Sequence, residues 1–120
     1  MVVRDRAVLE KFAGWGARPA ATSAASLLLV STSQQAVFDE GRMAERLALA
    51  ARACGLGSVI ATLKNEGPEE AKNLLGIPAD RHAVFLVAIG HTNVEARRAM
   101  PKQGAAARKP AAEYAHWNHF

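Results

Sequence analysis

The sequence predicts an α+β fold, in which helices are layered on a thin sheet. Two short apolar runs, residues 27–33, which serines close, and residues 82–90, have the composition of strands that are buried on both faces. The segments between these runs show the apolar spacing of amphipathic helices. Half of the residues are hydrophobic and 22% are charged, which is typical of a folded globular chain. We therefore expect one domain over residues 1–120, and a partner subunit that completes its core.

The first predicted element is a short helix over residues 4–16. Val8, Leu9 and Phe12 form its apolar stripe, and two glycines end it. The segment that follows, 17–26, is small, polar and proline-bearing, so we expect a loop there.

Residues 39–54 form the clearest predicted helix, with Asp39 and Glu40 as favourable negative charges at its N-terminal end. Its predicted apolar face consists of Met43, Leu47, Ala50, Ala51 and Cys54. Cys54 is therefore interpreted as a small core residue rather than a nucleophile. The many alanines would let another helix approach closely, so we expect this helix at the centre of the fold or at a subunit interface.

Gly55-Leu56-Gly57 follows this helix and is interpreted as a helix stop. Gly55 stands where a left-handed C-terminal cap is expected, and Leu56 can fold back on the last turn. A dinucleotide-binding glycine motif has the opposite order, because it follows a strand and opens a helix. A phosphate loop is excluded as well, since its lysine and following hydroxyl residue are not at the required spacing.

A strand and a helix follow the glycine turn. Residues 58–63 are apolar and β-branched, so they predict a short strand. Residues 67–77 predict a helix with Pro68 in its first turn and Gly76 as its stop.

The last part of the chain, residues 91–120, is interpreted as an extended arm that is basic and rich in aromatic residues. It lacks helical periodicity and contains two prolines and a glycine. From Thr92 onward, five cations stand against two glutamates, within a net charge of +4 for the whole chain. Such a segment can bind a phosphate or a nucleic-acid backbone, or it can be a solvated tail. No nucleic-acid motif accompanies it, so we do not expect a nucleic-acid partner.

Cysteine content and hydropathy exclude two classes of protein. The single cysteine allows neither an internal disulfide nor a zinc cluster of thiolates, which fits a reducing, cytoplasmic location. No apolar run reaches the roughly 18 residues that a membrane-spanning helix needs. Charges stand where a signal peptide needs its apolar region.

The sequence contains no pattern of catalytic or metal-ligating side chains. His116 and His119 are three residues apart, but no third ligand is close to them in sequence. No serine–histidine–aspartate or cysteine–histidine arrangement stands out either. We therefore assign neither a catalytic side chain nor a metal site.

Three segments together resemble the C-terminal half of the nitroreductase family, the FMN-dependent NAD(P)H oxidoreductases. They are FDEGRMAERLALAARACGLGSVIATL, PEEAKNLLGIPADRHAVFLVAIGH and ARKPAAEYAHW. In that family a helix of small residues ends in a Gly-Leu-Gly-Ser-like turn. A helix ending in Leu-Leu-Gly-Ile-Pro, a strand ending in Gly-Tyr or Gly-His, and a basic arm follow in the same order.

The resemblance implies a fold and an activity. The fold would be a shortened nitroreductase-like mixed sheet flanked by helices, in a homodimer whose extended C-terminal arms wrap the partner. FMN would lie at the dimer interface and pass hydride from NAD(P)H to a small electron acceptor, such as a nitroaromatic or a quinone. The flavin carries this chemistry, which agrees with the lack of a catalytic side chain.

The resemblance also implies which residues contact FMN. The strand after the glycine turn would run beside the isoalloxazine ring and contribute Gly57, Ser58, Ile60, Ala61, Thr62 and Leu63. The phosphate would bind to Arg108, with Lys109 beside it and Lys102 as a second candidate. The bidentate fork of an arginine suits a phosphate dianion.

Two departures from the family pattern support an alternative. A basic N-terminal region that contacts the phosphate and the ribityl chain in the family has no counterpart here, and the usual Lys-x-Arg of the arm is Ala106-Ala107-Arg108. The alternative is a non-catalytic dimeric module of nitroreductase fold, with weakened or lost flavin binding.

Overall fold

Strands and helices alternate along the chain, in a computed structural model that describes residues 1–32, 36–99, 110 and 113. In chain order they are β1 (Val2–Val3), α1 (Arg6–Gly14), a 3₁₀ helix (Arg18–Thr22), β2 (Ala25–Leu28), α2 (Val37–Ala53), β3 (Gly57–Thr62), α3 (Gly67–Leu75), β4 (Phe85–Gly90) and α4 (Val94–Ala99). The predicted helices over 39–54 and 67–77 and the predicted strand over 58–63 are confirmed, with bounds that differ by at most two residues.

The four described strands form one antiparallel sheet in the order β1-β2-β4-β3. β4 is central, and its Leu86 and Val87 are 0% exposed, which confirms a strand buried on both faces. β2 begins two residues before the predicted run and ends at Leu28. Ser26 can enter the sheet because its buried hydroxyl lies 3.3 Å from that of Ser23.

Helices cover both faces of the sheet, which confirms the predicted α+β class. On one face, α1 and α3 pack with the sheet in a cluster that includes Leu9, Phe12, Leu28, Ala71 and Leu86. On the other face, Ala44 of α2 packs with Leu29 and Val87. Every pair among the described strands is antiparallel, whereas the resemblance implies a mixed sheet, which also needs a parallel pair.

The buried side of α2 is rotated from the predicted one. Its side chains that face the sheet are Glu40, Ala44, Leu47 and Ala51, with Leu47 half-buried. The prediction was wrong for Met43, which is 48% exposed, and for Ala50 and Cys54, which are exposed as well. Cys54 is therefore not a core residue. The buried side of α2 differs from the predicted one because a charged residue, Glu40, enters the interior together with its hydrogen-bond partner, His82.

The last two described helices, α3 and α4, test the predicted helix stop at Gly76 and the predicted extended arm. α3 ends at Gly76, whose φ of 65° is the left-handed cap conformation, so the predicted stop is confirmed. α4 is helical over Val94–Ala99, within the segment for which an extended arm is predicted. The rest of that arm, apart from residues 110 and 113, lies outside the described residues.

Candidate functional site

The end of α2 sets the position of β3, the strand that carries most of the predicted site. The N–H of Leu56 donates to the carbonyl of Ala51 at 2.8 Å, and the N–H of Gly55 donates to that of Arg52 at 3.0 Å. With a φ of 73° at Gly55, this is a Schellman motif, which confirms the predicted helix stop. The chain passes from the helix directly into Gly57, the first residue of β3.

The side chains of β3 and of the residue after it fall into two groups. Ala61 and Leu63 are only 9% and 2% exposed and belong to the core cluster, so they anchor the strand. Val59 and Ile60 are 51% and 54% exposed, and successive side chains of a strand point to opposite faces. Ile60 pairs with Val87, and therefore lies on the face of the sheet that α2 covers.

β3 is an edge strand among the described elements, since it pairs with β4 on one side and is last in the strand order. An edge strand directs some of its N–H and C=O groups away from the sheet. Here these groups lie next to the half-exposed, apolar side chain of Ile60. An aromatic ring with polar atoms on its rim has the chemistry to bind such an edge.

The beginning of β3 is closely packed. Gly57 lies opposite Gly90, at the end of the ladder between β3 and β4. A Cβ atom on Gly57 would collide with Oγ1 of Thr92, and one on Gly90 would lie 3.2 Å from the amide nitrogen of Ala24. Only glycine fits at Gly57 without displacing its neighbour.

The described start of the basic arm follows β4 directly. Oδ1 of Asn93 accepts a hydrogen bond from the N–H of Ala96 at 2.9 Å, which caps α4. Arg97 and Arg98 are exposed in its last turn. Three predicted phosphate-binding residues lie beyond it, outside the described residues: Lys102, Arg108 and Lys109.

A cavity of about 380 Å³ lies away from β3, between β2 and the first half of α2. Its lining is mostly apolar and includes Leu27, Leu29, Val30, Met43 and Leu47. None of its lining residues belongs to β3. The cavity is therefore separate from the predicted flavin-contacting strand.

Glu40, which also lines this cavity, is the centre of a buried polar cluster that sequence reasoning missed. Its side chain is 4% exposed, and its Oε1 accepts hydrogen bonds from Oγ of Ser31 and from the imidazole of His82, whose Nδ1 is 2.9 Å away. Ser31 and His82 also exchange two backbone hydrogen bonds, at 3.0 and 3.1 Å. Oε2 of Glu40 has no hydrogen-bond partner among the described residues.

A sequence signal for this cluster did exist. Glu40 is in the same helical row as Ala44, Leu47 and Ala51, so helical spacing marks it as an inward-facing position. Its charge and its place in the first turn favour the interpretation as an exposed, dipole-stabilising residue. Nothing in the spacing of residues 31, 40 and 82 indicates that they meet.

The described residues contain no group of three or more histidine, cysteine, aspartate or glutamate side chains that could hold a metal ion. In the same part of the chain, no helix is both long enough and apolar enough to cross a membrane.

Comparison with solved structures identifies the fold. Nitroreductase A from Vibrio parahaemolyticus superposes on the whole of this chain with a TM-score of 0.76, at 22% sequence identity. The chain has the nitroreductase fold. No family model and no curated protein sequence matches it, so the likeness is one of structure.

Two further solved structures share this nitroreductase fold over the full length of the chain. An NADPH:FMN oxidoreductase from Vibrio harveyi, complexed with NAD⁺, has a TM-score of 0.73 and 22% identity. An FMN-dependent nitroreductase from Clostridium difficile has a TM-score of 0.68 and 17% identity. The chain spans 57%, 58% and 74% of the lengths of the Vibrio parahaemolyticus, Vibrio harveyi and Clostridium difficile chains.

Six of the nine predicted cofactor residues, which are neighbours in sequence, lie in β3 or directly after it: Gly57, Ser58, Ile60, Ala61, Thr62 and Leu63. Only Ile60 among them has a half-exposed apolar side chain, so contact with the others would be made mainly through backbone atoms. An edge strand with one such side chain fits the flat, polar-rimmed ring of FMN. Whether the three cations of the arm join this stretch remains a prediction.

Proposed function

We propose that this chain binds FMN and acts as an oxidoreductase of the nitroreductase type. FMN, when bound, would supply hydride transfer from NAD(P)H to a small acceptor such as a nitroaromatic or a quinone. The observation that carries the proposal is the structural likeness of the whole of this chain to parts of an FMN-dependent nitroreductase and an NADPH:FMN oxidoreductase. The exposed edge of β3, at the position where the resemblance expects the ring, supports it.

In this proposal each group of residues has one task. Ile60 contacts the ring, and backbone groups at the outer edge of β3 hydrogen-bond its polar atoms. The buried side chains of Ala61 and Leu63 keep the strand in place. The cations Lys102, Arg108 and Lys109 bind the phosphate.

The proposal is tested by titrating the purified chain with FMN and following the fluorescence of the free flavin. We expect saturable quenching, visible flavin bands on the isolated complex, and NAD(P)H oxidation when a quinone or a nitroaromatic is added. A chain that neither quenches FMN nor oxidises NAD(P)H with added FMN would overturn the proposal. The non-catalytic module of the same fold would then be the better description.

Ile60→Glu is expected to weaken FMN binding by at least about tenfold, because a carboxylate would replace the apolar contact with the ring. Val59→Glu is the matched control, since Val59 is almost equally exposed on the same strand but points to the opposite face. We expect this control to bind FMN within about twofold of the wild type. Equal losses in both variants, measured by the same titration, would show that Ile60 has no specific role.

We also propose that the chain is a homodimer that uses the outer side of α2. Phe38 and Leu49 are 76% and 61% exposed there, and burying such side chains against a second copy of the chain would stabilise a dimer. Phe38→Glu is expected to shift the mass in solution from dimer to monomer, as measured by light scattering after gel filtration. Leu74→Glu, at a 40% exposed position of α3, is the control and is expected to leave the mass unchanged. A wild-type chain that is monomeric at high concentration would contradict the prediction.

A further inference from the structure

The cavity between β2 and the first half of α2 has the features of a binding site that the proposed function does not use. Its volume of about 380 Å³ falls within the range of small-molecule sites, roughly 300–1,000 Å³. Val30 and Met43, which line it, are 38% and 48% exposed, so the cavity opens to the surface. Leucine side chains form much of the remaining wall, so the body of a ligand would contact hydrocarbon.

The charge of the lining favours a cation. Among the described residues that line the cavity, the charged side chains are those of Asp39 and Glu40, and both are acidic. The α-ammonium of Met1, at the same wall, already donates to the carbonyl oxygen of Leu28 at 2.8 Å. Asp39 is largely exposed and pairs with Arg42. Glu40 is therefore the carboxylate to which a bound cation would contribute most.

Glu40 is held in place through one of its two oxygens. Its side chain is 4% exposed, and its Oε1 accepts hydrogen bonds from Oγ of Ser31 and from the imidazole of His82. Oε2 has no hydrogen-bond partner among the described residues. A buried carboxylate oxygen without a donor is costly, and a hydrogen bond between an ionised donor and a carboxylate is among the strong ones. A donor that a ligand brings to Oε2 would therefore be bound favourably.

Met43 is the wall residue that would give way to such a donor. Oε2 is closed off from solvent, so a ligand has to displace a side chain to reach it. Met43 is three residues along α2 from Glu40, and residues at this spacing are neighbours on a helix. Its unbranched side chain is flexible and half-exposed, so moving it disturbs little packing.

We propose that this cavity binds a small amphipathic cation, in which a compact apolar body carries an ammonium group. The ammonium group donates to Oε2 of Glu40, and the apolar body packs against Leu27, Leu29 and Leu47. None of these residues belongs to β3, the strand proposed to contact FMN. The inference therefore goes beyond the proposed function and does not rest on it.

The test is a calorimetric titration of the full chain with benzylammonium at neutral pH. We expect saturable binding with a Kd below about 1 mM. Benzyl alcohol has the same ring and a neutral donor, and it is expected to bind at least about tenfold more weakly. Equal affinities of the two probes, or no saturation by benzylammonium below about 10 mM, would overturn the proposal.

Glu40→Gln tests the carboxylate, because it keeps the size of the side chain and removes its charge. It is expected to raise the Kd for benzylammonium at least about tenfold. Glu70→Gln is the matched control, since it removes an exposed glutamate from the first turn of another helix, α3. This control is expected to bind within about twofold of the wild type. Wild-type affinity in Glu40→Gln would contradict the inference.

Leu27→Trp tests the location of the site without changing the carboxylate. Leu27 alternates with Leu28 along β2, so it faces α2 and a larger ring there would fill the cavity. We expect the Kd to rise at least about tenfold while circular dichroism remains that of the folded chain. Val59→Trp, at an exposed position of β3, is the control and should leave the Kd unchanged.

Unchanged binding by a folded Leu27→Trp would place benzylammonium outside the cavity and overturn the inference. If Glu40→Gln fails to fold, Leu27→Trp and the comparison with benzyl alcohol still decide the question. The outcome is independent of FMN, so a chain that binds benzylammonium but not FMN would refute only the proposed function.

Discussion

Phe12→Ala is expected to lower the free energy of unfolding by about 3–5 kcal/mol. Phe12 is 0% exposed, and its ring lies 6.1 Å from that of Trp15, centroid to centroid. Phe12 belongs to α1 and packs against the sheet, in the core cluster that also contains Leu86. Alanine would leave a cavity that these neighbours can fill only in part, because helix and sheet are both constrained by their backbone hydrogen bonds.

Urea unfolding followed by circular dichroism measures this loss as a lower midpoint. Glu10→Ala is the matched control, since Glu10 is an exposed residue of the same helix and a surface substitution changes stability by about 0.5 kcal/mol or less. If both variants unfold at the same urea concentration, Phe12 is not part of the core.

Glu40→Ala is expected to lower the free energy of unfolding by about 3 kcal/mol. The substitution removes the acceptor that Ser31 and His82 share. It leaves the imidazole of His82, with a side chain only 16% exposed, without this hydrogen bond. It also disconnects the first turn of α2 from the chain after β2 and the chain before β4.

Asp39→Ala provides the comparison at the adjacent position. Asp39 is 73% exposed and pairs at 3.2 Å with Arg42, which is 55% exposed, so its loss should cost less than about 1 kcal/mol. Glu40→Gln retains an acceptor oxygen and is expected to fall between the two alanine variants. Should Glu40→Ala prove no more harmful than Asp39→Ala in urea unfolding, the buried cluster contributes nothing to stability.

Local chemistry was sufficient to predict most of the elements. Pro68 and Gly76 bracket α3, and Gly55 ends α2, because each residue has a backbone preference that acts independently of the rest of the fold. The same is true of the apolar run that became β4. The order of the strands depends on pairings between distant parts of the chain, so no local pattern could supply it.

Hydrophobicity alone was insufficient for α2. The predicted face contained Met43 and Cys54, which are exposed, and omitted Glu40, which is buried. A carboxylate is stable inside only with partners, and its partner His82 comes 42 residues later. For the candidate site, the location of the strand was predictable, while the contact of Thr92 with Gly57 required coordinates.

The place of β4 in the sheet has a consequence for how the molecule is made. Among the described strands β4 is the last in sequence, yet it is the neighbour of both β2 and β3. During synthesis, neither β2 nor β3 can pair with β4 until residues 85–90 have emerged from the ribosome. Of the ladders between described strands, only the one between β1 and β2 can form earlier. Pairs such as Ala25 with Ile89 also close long loops, which slows folding. During synthesis, most of the backbone hydrogen bonds of the sheet therefore form late and together, and its apolar strands need protection from aggregation until then.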